Sequence, residues 1–337
     1  MSLVDARQLL LPALEQRRAV GAFNANNMEM VLAFGEAAKE MAVELGKPVD
    51  LIIQLSPGAA KYAGWPMGAG MVKVLADKIL DSKANVRVAL NLDHGTDLEQ
   101  VQKALDNGFT AVLIDGSSLS LEDNIKLTRQ AVEMCHAAGV PVEAELGKIP
   151  TIDYYFKGKG EIGELRNMPA AQAVEVIRER CGESVEALMA KPEDVERFVN
   201  ETGCDFLAAA FGSIHGIWDD IWPVRIDRLI AIQERVRMPL VSHGSSGILM
   251  TPEDAKAKGI KLAKGEGTLR DAIQTGGVTK VNVATALSIA FIEGFMGAYE
   301  ENPSEKDFRK LGGPGRERVK EKTKQYIRLF AGVSVGR

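Results

Sequence analysis

The sequence predicts an α/β fold, a single (β/α)8 TIM barrel with insertions after strands 5 and 7 and a C-terminal helical appendix. Eight short apolar runs alternate with longer helical patterns along the 337 residues, and such alternation favours a parallel sheet. Eight repeats favour closure of that sheet into a barrel. No G-x-G-x-x-G follows the first run, which removes the main dinucleotide signal of an open, doubly wound sheet.

The predicted strands are the short β-rich runs, and the predicted helices are the amphipathic stretches between them. The strands are predicted at Val20–Ala25, Val49–Leu55, Val86–Leu92, Ala111–Ile114, Val140–Glu145, Phe206–Ala210, Pro239–Ser242 and Val281–Ala284. The helices are predicted at Met28–Leu45, Gly70–Leu80, Asp97–Asn107, Leu121–Ala138, Pro192–Glu201 and Ile226–Val236. Asp97 and Ser120 are typical helix starts, and Gly46, Gly108 and Gly139 are typical helix stops.

Two long segments interrupt the alternation. Lys148–Ala190 follows predicted strand 5, and Thr251–Thr279 follows predicted strand 7. Loops of this length in a compact domain are usually functional covers, and the alternative is a solvated decoration of the surface. We expect residues 1–300 to form the catalytic barrel and residues 301–337 to form a helical extension, with a helix over Arg316–Leu329.

The composition excludes several classes of function. The net charge is −5 and the basic residues are dispersed, so no nucleic-acid partner is expected. No stretch approaches 18 uninterrupted apolar residues, so we expect no membrane span. Cys135, Cys181 and Cys204 have no C-x-x-C spacing, which favours reduced thiols and a cytoplasmic location.

Three of the four histidines are followed directly by glycine, at His94, His215 and His243. Each ends or closely follows a predicted strand, namely strands 3, 6 and 7, so all three should lie on the C-terminal rim where barrels carry their chemistry. This predicts a tris-histidine zinc site with an open position. The alternative is that the three rings only cap loops. His136 falls inside a predicted helix, and we expect it to be structural.

Acidic residues accompany these histidines. Asp93 directly precedes His94. In a regular strand its side chain would point to the face opposite that of His94. At a strand end, however, it can still reach the rim and transfer protons. Asp115, Glu143 and Glu145 end strands 4 and 5, and buried carboxylates need a cation or a hydrogen-bonding role beside the histidines. Lys280 precedes predicted strand 8, so we expect it at the opposite end of the barrel and predict no Schiff-base lysine.

The turns after strands 7 and 8 are suited to bind phosphate. The stretches "HGSSG" (residues 243–247) and "VNVAT" (residues 281–285) offer backbone N–H groups and hydroxyls. Barrels commonly bind phosphate at this position, where helix N-termini favour anions.

With these motifs in place, the chain resembles the class II, metal-dependent fructose-bisphosphate and tagatose-bisphosphate aldolase family. The matching stretches are "AFNANNMEM", "LIIQLSPGAAKYAG", "NLDHGTDLEQVQKALDNGFTAVLIDGSS", "PVEAELG", "GSIHG", "PLVSHGSSGI" and "KVNVAT". They extend from strand 1 to strand 8 and cover roughly two-thirds of the chain. The resemblance implies reversible aldol cleavage of a ketose bisphosphate to dihydroxyacetone phosphate and an aldehyde, through a zinc-stabilised enediolate.

The resemblance also implies roles for individual residues. His94, His215 and His243 would bind the catalytic zinc, and Asp93 would handle the aldehyde oxygen. Asp115 and Glu145 match positions that can hold a second divalent or monovalent cation. The residues that match substrate contacts are Ser56, Gly216, Gly244, Ser246, Asn282, Ala284 and Thr285. Family members are commonly homo-oligomers, which predicts a dimer or tetramer.

The chain departs from the family pattern in two places. The loop after strand 5 reads "KIPTIDYYFKGKGEIGELRN", in which Glu161 and Glu164 are the candidates for the proton-transfer carboxylate. Asp219 stands where the family commonly has a lysine. Three interpretations of function therefore stay open: an aldolase on this or another ketose, a hydrolase using zinc-bound water, and a non-catalytic sugar-phosphate-binding protein. The "AFNANN" end of strand 1 lacks the H-x-H typical of such hydrolases.

Overall fold

The computed structural model describes residues 3–80 and 85–332. Eight parallel strands, which we number β1–β8, close into a barrel in which each strand pairs with its neighbours in chain order. The strands are Val20–Asn24, Val49–Leu55, Val86–Gly95, Ala111–Ile114, Val142–Leu146, Phe206–Ala209, Leu240–Ser242 and Val278–Val283. The predicted TIM barrel is therefore confirmed.

Helices cover the outside of the barrel and fill the two long insertions. They are α1 Arg7–Glu15, α2 Met28–Leu45, α3 Pro57–Ala63, α4 Trp65–Val74, α5 Leu98–Asp106, α6 Leu121–Ala137, α7 Ile152–Tyr155, α8 Lys159–Arg166, α9 Ala170–Leu188, α10 Pro192–Thr202, α11 Ile226–Val236, α12 Pro252–Ala257, α13 Leu269–Gln274, α14 Thr285–Glu301 and α15 Phe308–Phe330. A π-helical turn at Leu75–Ile79 continues α4, and a 3-10 turn occupies Ser245–Gly247. Among the described residues, no helix is both long and apolar enough to cross a membrane.

The two insertions are folded parts of the molecule. The segment after β5 forms α7, α8 and α9, whose apolar side chains, such as Ile152 and Ile177, join the main core. The segment after β7 forms α12 and α13. Between these two helices, Glu266–Gly267 pairs antiparallel with Val224–Arg225 from the loop after β6. The insertions therefore pack against the loop that carries His215.

The interior of the barrel is divided into an apolar lower half and a polar upper half. In the lower half, α1 closes the bottom with Leu9 and Leu10 against inward-facing strand residues such as Ile52 and Phe206. The upper half holds buried polar side chains, which are Gln54, Asn91, Asp93, Glu143, Glu145, His243, Lys280 and Asn282. The fold thus concentrates charge and amide groups directly beneath the C-terminal rim.

The expected position of Lys280 was wrong. β8 begins at Val278, three residues earlier than predicted, so Lys280 lies within the strand and not before it. The inward positions of β8 are Lys280 and Asn282, and Lys280 is only 1 % exposed. The second and third residues of the strand, Thr279 and Lys280, are polar, and for that reason the hydrophobic pattern missed the first three strand residues.

The C-terminal extension packs against the barrel helices. α15 begins at Phe308, earlier than the predicted Arg316, because the side chain of Asp307 caps it by accepting from Arg309 N. Tyr326 and Phe330 are buried beside Phe23 of β1. The proposed division at residue 300 stays a prediction, and residues 1–2, 81–84 and 333–337 of the two predicted segments lie outside the described residues.

Helices α14 and α15 approach so closely that only glycine fits at the crossing. A Cβ on Gly294 would lie 2.6 Å from the carbonyl oxygen of Pro314, and a Cβ on Gly315 would lie 2.8 Å from that of Phe291. Contacts this short with backbone atoms cannot be relieved by a rotamer change. At Gly297, further along α14, an added Cβ would meet no atom of the described residues within 4 Å.

We predict that Gly294→Ala lowers the free energy of unfolding by about 1–3 kcal/mol, because overpacking forces the two helix backbones apart. Gly297→Ala is the matched control and should be neutral or stabilising by up to about 1 kcal/mol, since alanine favours a helix interior. Urea unfolding followed by circular dichroism measures both. Equal effects of the two substitutions would contradict the close helix crossing.

Candidate metal centre and active site

The end of β3 is distorted in a way that brings two consecutive side chains to the rim. The register between β3 and β4 shifts between Leu92 and Gly95, which is a bulge that re-aims side chains. His94 has a positive φ of 51°. Asp93 therefore keeps its inward strand position, while the ring of His94 also turns toward the barrel axis. This explains how neighbouring residues contribute to one site despite the alternation of a strand.

His215 is held by a backbone bridge to the insertion after β5. Its N–H donates to the carbonyl of Pro150 at 2.8 Å, and its own carbonyl accepts from Ile152 N at 2.9 Å. Gly216 follows in the left-handed region with φ 80°. The turn that presents the His215 ring is thus fixed by the start of α7.

His243 directly follows β7 and is 1 % exposed. The next residue, Gly244, has φ 66°, and a Cβ there would lie 3.2 Å from the carbonyl group of Ile214. Glycine at this position lets the two histidine-bearing loops come together. Each His-Gly pair predicted from the sequence therefore lies at the rim.

The three rings converge on one point. Their centroids are 4.7 Å apart for His94 and His243, 5.8 Å for His94 and His215, and 6.4 Å for His215 and His243. His94 Nε2 lies 3.1 Å from His243 Nδ1, close to the roughly 3.3 Å edge expected for a tetrahedral zinc with Zn–N bonds of about 2.05 Å. Ligand atoms of all three lie within 4.8 Å of one another. The donor set and its spacing fit a divalent transition metal.

The other ring nitrogens have hydrogen-bond partners. His94 Nδ1 lies 2.7 Å from Asp115 Oδ2, and His243 Nε2 lies 2.9 Å from Glu143 Oε1. His215 interacts with the backbone of Ile149. Acceptors of this kind fix the ring orientation and tautomer of metal-binding histidines. The supporting role for Asp115 and Glu143 was one of two sequence-based alternatives.

The second candidate cation group consists of His94, Asp115 and Glu145, whose ligand atoms also lie within 4.8 Å of one another. Glu145 Oε2 is buried and has no hydrogen-bond partner in the described part of the chain. Burial raises the pKa of Glu145 to about 7. An unsatisfied carboxylate oxygen at this place is suited to a cation, and it supports the sequence-based expectation for Asp115 and Glu145.

Two histidines have opposite electrostatic environments. Burial opposes protonation of His94, but the carboxylates of Asp93, Asp115 and Glu145 outweigh it and raise its pKa to about 10. Burial lowers the pKa of His215 to about 4, and the neighbouring histidines reinforce the effect. His215 is thus neutral, as a metal ligand must be, whereas His94 must release a proton before it can bind a metal.

Asp93 is ionised and held by a chain of amides. Its burial favours the neutral form, but His94, His243 and Lys280 outweigh burial and keep its pKa below the usual range. Asn24 Nδ2 donates to Asp93 Oδ2 at 2.7 Å, and Gln54 Nε2 donates to Asn24 Oδ1 at 2.7 Å. In the sequence, the only signal of this chain of amides is the presence of polar residues within the apolar runs of β1 and β2.

The predicted substrate residues fall into two groups. A cavity of about 40 Å³ between the histidines is lined by six of them, namely Gly216, Gly244, Ser246, Asn282, Ala284 and Thr285. Ser56 does not line this cavity; it caps α3 by accepting from Ala59 N. Its role toward substrate stays a prediction.

The predicted proton-transfer carboxylates of the insertion lie outside this cavity. Glu161 forms an ion pair with Arg180 of α9 at 3.1 Å, and Glu164 is exposed on α8. Neither lines the space between the histidines. Their catalytic role therefore stays a prediction that requires movement of α8.

A larger cavity of about 400 Å³ adjoins the first and shares Ser246 and Thr285 with it. Asp219, the residue that replaces an expected lysine, lines this cavity with φ 59°. Lys258 and Lys322 line it as well. The ammonium of Lys258 donates to the backbone carbonyls of Asp219 and Asp220. The two ammonium groups thus come from other elements, and they share the cavity with the carboxylates of Asp220 and Glu293.

Comparisons with known proteins agree with this geometry. Residues 4–334 match the family model described as fructose-bisphosphate aldolase class-II. The chain is 38 % identical to a fructose-bisphosphate aldolase of Thermus caldophilus, covering 99 % of each chain. It is 35 % identical to one of Helicobacter pylori strain J99, covering 97 % of this chain and 98 % of the other. Among solved structures, the YdjI aldolase of Escherichia coli K12 superposes with a TM-score of 0.70 at 27 % identity, covering 98 % of both.

We predict that, in the metal-free protein at pH 7.5, the His94 ring is protonated on both nitrogens whereas the His215 ring is neutral. The sign follows from pKa values of about 10 and about 4. Nitrogen-15 NMR of labelled histidines distinguishes the two forms, and adding Zn2+ should remove one proton from His94. A neutral His94 at this pH would contradict the prediction.

The same shift implies a pH dependence of stability. Because the folded-state pKa of His94 lies above its ordinary 6.5, its stabilising contribution is complete below pH 6.5 and is lost as the pH rises toward 10. The melting temperature of the metal-free protein should therefore fall across this window. The fall should be smaller in His94→Gln.

Proposed function

This chain belongs to the class II fructose-bisphosphate aldolase family, a family of lyases, and from that membership we propose that it is a zinc-dependent ketose-bisphosphate aldolase. It would cleave a substrate of the fructose 1,6-bisphosphate type reversibly to dihydroxyacetone phosphate and an aldehyde. The observation that carries the proposal is the convergence of three histidines beside an ionised Asp93. The non-catalytic alternative is not favoured.

The proposed metal is zinc, held by His94 Nε2, His243 Nδ1 and His215. Imidazole ligands and an open fourth position are typical of catalytic zinc. When bound, Zn2+ supplies Lewis-acid stabilisation of the negative charge that C–C cleavage leaves on the ketose fragment. Imidazole ligands bind a metal in their neutral form, so they leave the charge of the metal undiminished.

Asp93 is proposed to accept the proton in the cleavage direction. The bond between C3 and C4 of the ketose breaks while the C4 hydroxyl loses its proton and becomes the aldehyde. A base for this step must be ionised before the reaction, and Asp93 meets that requirement because its pKa is low. Asn24 fixes the carboxylate from one side at 2.7 Å. In the condensation direction Asp93 returns the proton to the aldehyde oxygen.

A second proton must reach the ketose fragment at C3 after cleavage. We propose Glu164 as its donor, because Glu161 is already engaged by Arg180 at 3.1 Å whereas Glu164 is exposed. The segment from Thr151 to α8 starts at the backbone bridge to His215. Rotation of α8 about that bridge would carry Glu164 toward the metal.

The phosphate of the ketose fragment is proposed to lie between the two cavities. Ser246 and Thr285 belong to both, and Ser246 Oγ accepts from the N–H groups of Ala284 and Ala286 at the start of α14. Helix N-termini favour anions. Lys258 and Lys322 would then replace the positive charge that is missing at Asp219. The predicted homo-oligomer and the cytoplasmic location stay predictions.

We predict that the protein with Zn2+ cleaves fructose 1,6-bisphosphate or a related ketose phosphate, and that chelation abolishes the activity. His215→Ala should lose metal and activity, and Asp93→Asn should keep metal but lose at least 100-fold in kcat, since a positioned acid or base contributes about 10²–10⁴-fold. A coupled dehydrogenase assay measures cleavage.

His136→Ala is the matched control and should keep both properties, because His136 pairs with Asp205 on the outside of the barrel. The unphosphorylated ketose should react with a far lower kcat/KM if the two lysines act on phosphate. Failure to cleave any compound of a broad ketose panel would contradict the proposed function.

The two glutamates can be separated by proton exchange between solvent and dihydroxyacetone phosphate. Glu164→Gln should lower the exchange rate by at least 100-fold, because it removes the group that moves the proton. Glu161→Gln is the control and should keep most of the proton-exchange rate. Deuterium incorporation followed by NMR measures both, and the reverse order would show that Glu161 serves instead.

A further inference from the structure

A buried ion pair lies directly below His243 in the barrel interior. Lys280 Nζ is 2.7 Å from Glu143 Oε2, and both side chains are 2 % exposed. The second oxygen, Glu143 Oε1, is 2.9 Å from His243 Nε2. Lysine, glutamate and histidine thus form a continuous chain from β8 through β5 to the end of β7.

Packing alone gives no reason for this pair. The neighbouring inward positions of the lower barrel hold apolar residues such as Ala208 and Val241. Replacing a buried ion pair with apolar side chains of similar volume is often neutral or stabilising. A lysine and a glutamate in the interior are therefore poorly explained by stability.

The geometry matters for His243 because only one ring nitrogen can face the metal. His243 Nδ1 lies beside His94 Nε2 at 3.1 Å, so the opposite nitrogen, Nε2, has to carry the proton. Two groups compete for that nitrogen: Glu143 Oε1 accepts at 2.9 Å, while Asn282 Nδ2 also lies at 2.9 Å. An acceptor at Nε2 favours the tautomer that leaves Nδ1 free, and a donor there opposes it.

We propose that Lys280 is a positioning residue of the metal centre, which acts through Glu143 to hold His243 with Nδ1 directed at the metal. Its ammonium binds Oε2 of the carboxylate and so leaves Oε1 aimed at His243 Nε2. Lys280 itself lines neither the cavity between the histidines nor the larger one beside it. This inference rests on the proposed function, since it requires a metal at the three histidines.

The experiment measures the zinc dissociation constant of the full-length protein by competition with a chromophoric chelator. Lys280→Met introduces an unbranched side chain that is one atom shorter, and it removes the charge. We expect it to weaken zinc binding by about 10–100-fold, the usual effect of losing a partner of a metal-binding histidine. The visible spectrum of the Co2+-substituted protein should change as well, because the ligand field of His243 changes. Lys103→Met, on an exposed pair with Glu99, is the control and should leave both unchanged.

A double-mutant comparison tests whether Lys280 acts through Glu143. In a Glu143→Gln background, adding Lys280→Met should change the dissociation constant by less than about threefold, because coupled residues are not additive. A further tenfold loss in that background would overturn the proposal. If Lys280→Met alone does not fold, this comparison still tests the proposal, because the double variant buries no unpaired charge of this pair.

Two outcomes separate this inference from the proposed function. If Lys280→Met lowers only the melting temperature of the metal-free protein and leaves zinc affinity and the Co2+ spectrum unchanged, the ion pair is structural and the inference is overturned. If the unmodified protein binds no zinc, the proposed function is overturned.

Discussion

The upper half of the barrel depends on the cost of burying charge. A carboxylate or ammonium removed from water is strongly destabilising unless another charge or a hydrogen bond compensates it. Asp93, Glu143, Glu145 and Lys280 are all buried within one shell of side chains. These positions are therefore tolerated because they compensate one another. Among the described residues, three buried oxygens of this site still lack a hydrogen-bond partner, namely Asn91 Oδ1, Glu145 Oε2 and Asn282 Oδ1.

The same constraint explains why the barrel is closed so differently at its two ends. α1 seals the bottom with leucine side chains, which excludes water from the apolar half. The top is instead assembled from loops that contact each other through backbone groups, as in the bridge between Thr151 and His215. The apolar lower half has a low dielectric constant, which strengthens the electrostatic interactions of the polar groups above it. The apolar half therefore contributes to the electrostatics of the site.

Much of this organisation could be predicted from the sequence, because a period of two and a His-Gly pair are local signals. The strand ends placed His94, His215 and His243 on one rim, and the glycine after each allowed close approach of loops. The bulge at Asp93 could not be predicted, because it arises from pairing with β4, a non-local contact. Lys280 was misplaced for a similar reason: a polar residue that faces a buried partner across the barrel looks like a solvated residue before a strand.

The C-terminal helix has a consequence for the order of events during synthesis. Tyr326 and Phe330 of α15 pack against Phe23 of the first strand, and Lys322 pairs with Asp220 in the loop that follows His215. A ribosome adds about 5–20 residues per second, so many seconds pass between the synthesis of β1 and that of the helix that covers it. The growing chain therefore completes its outer layer and steadies the His215 loop only when nearly all of it has been made, and truncated chains would present exposed aromatic surface to the chaperone system.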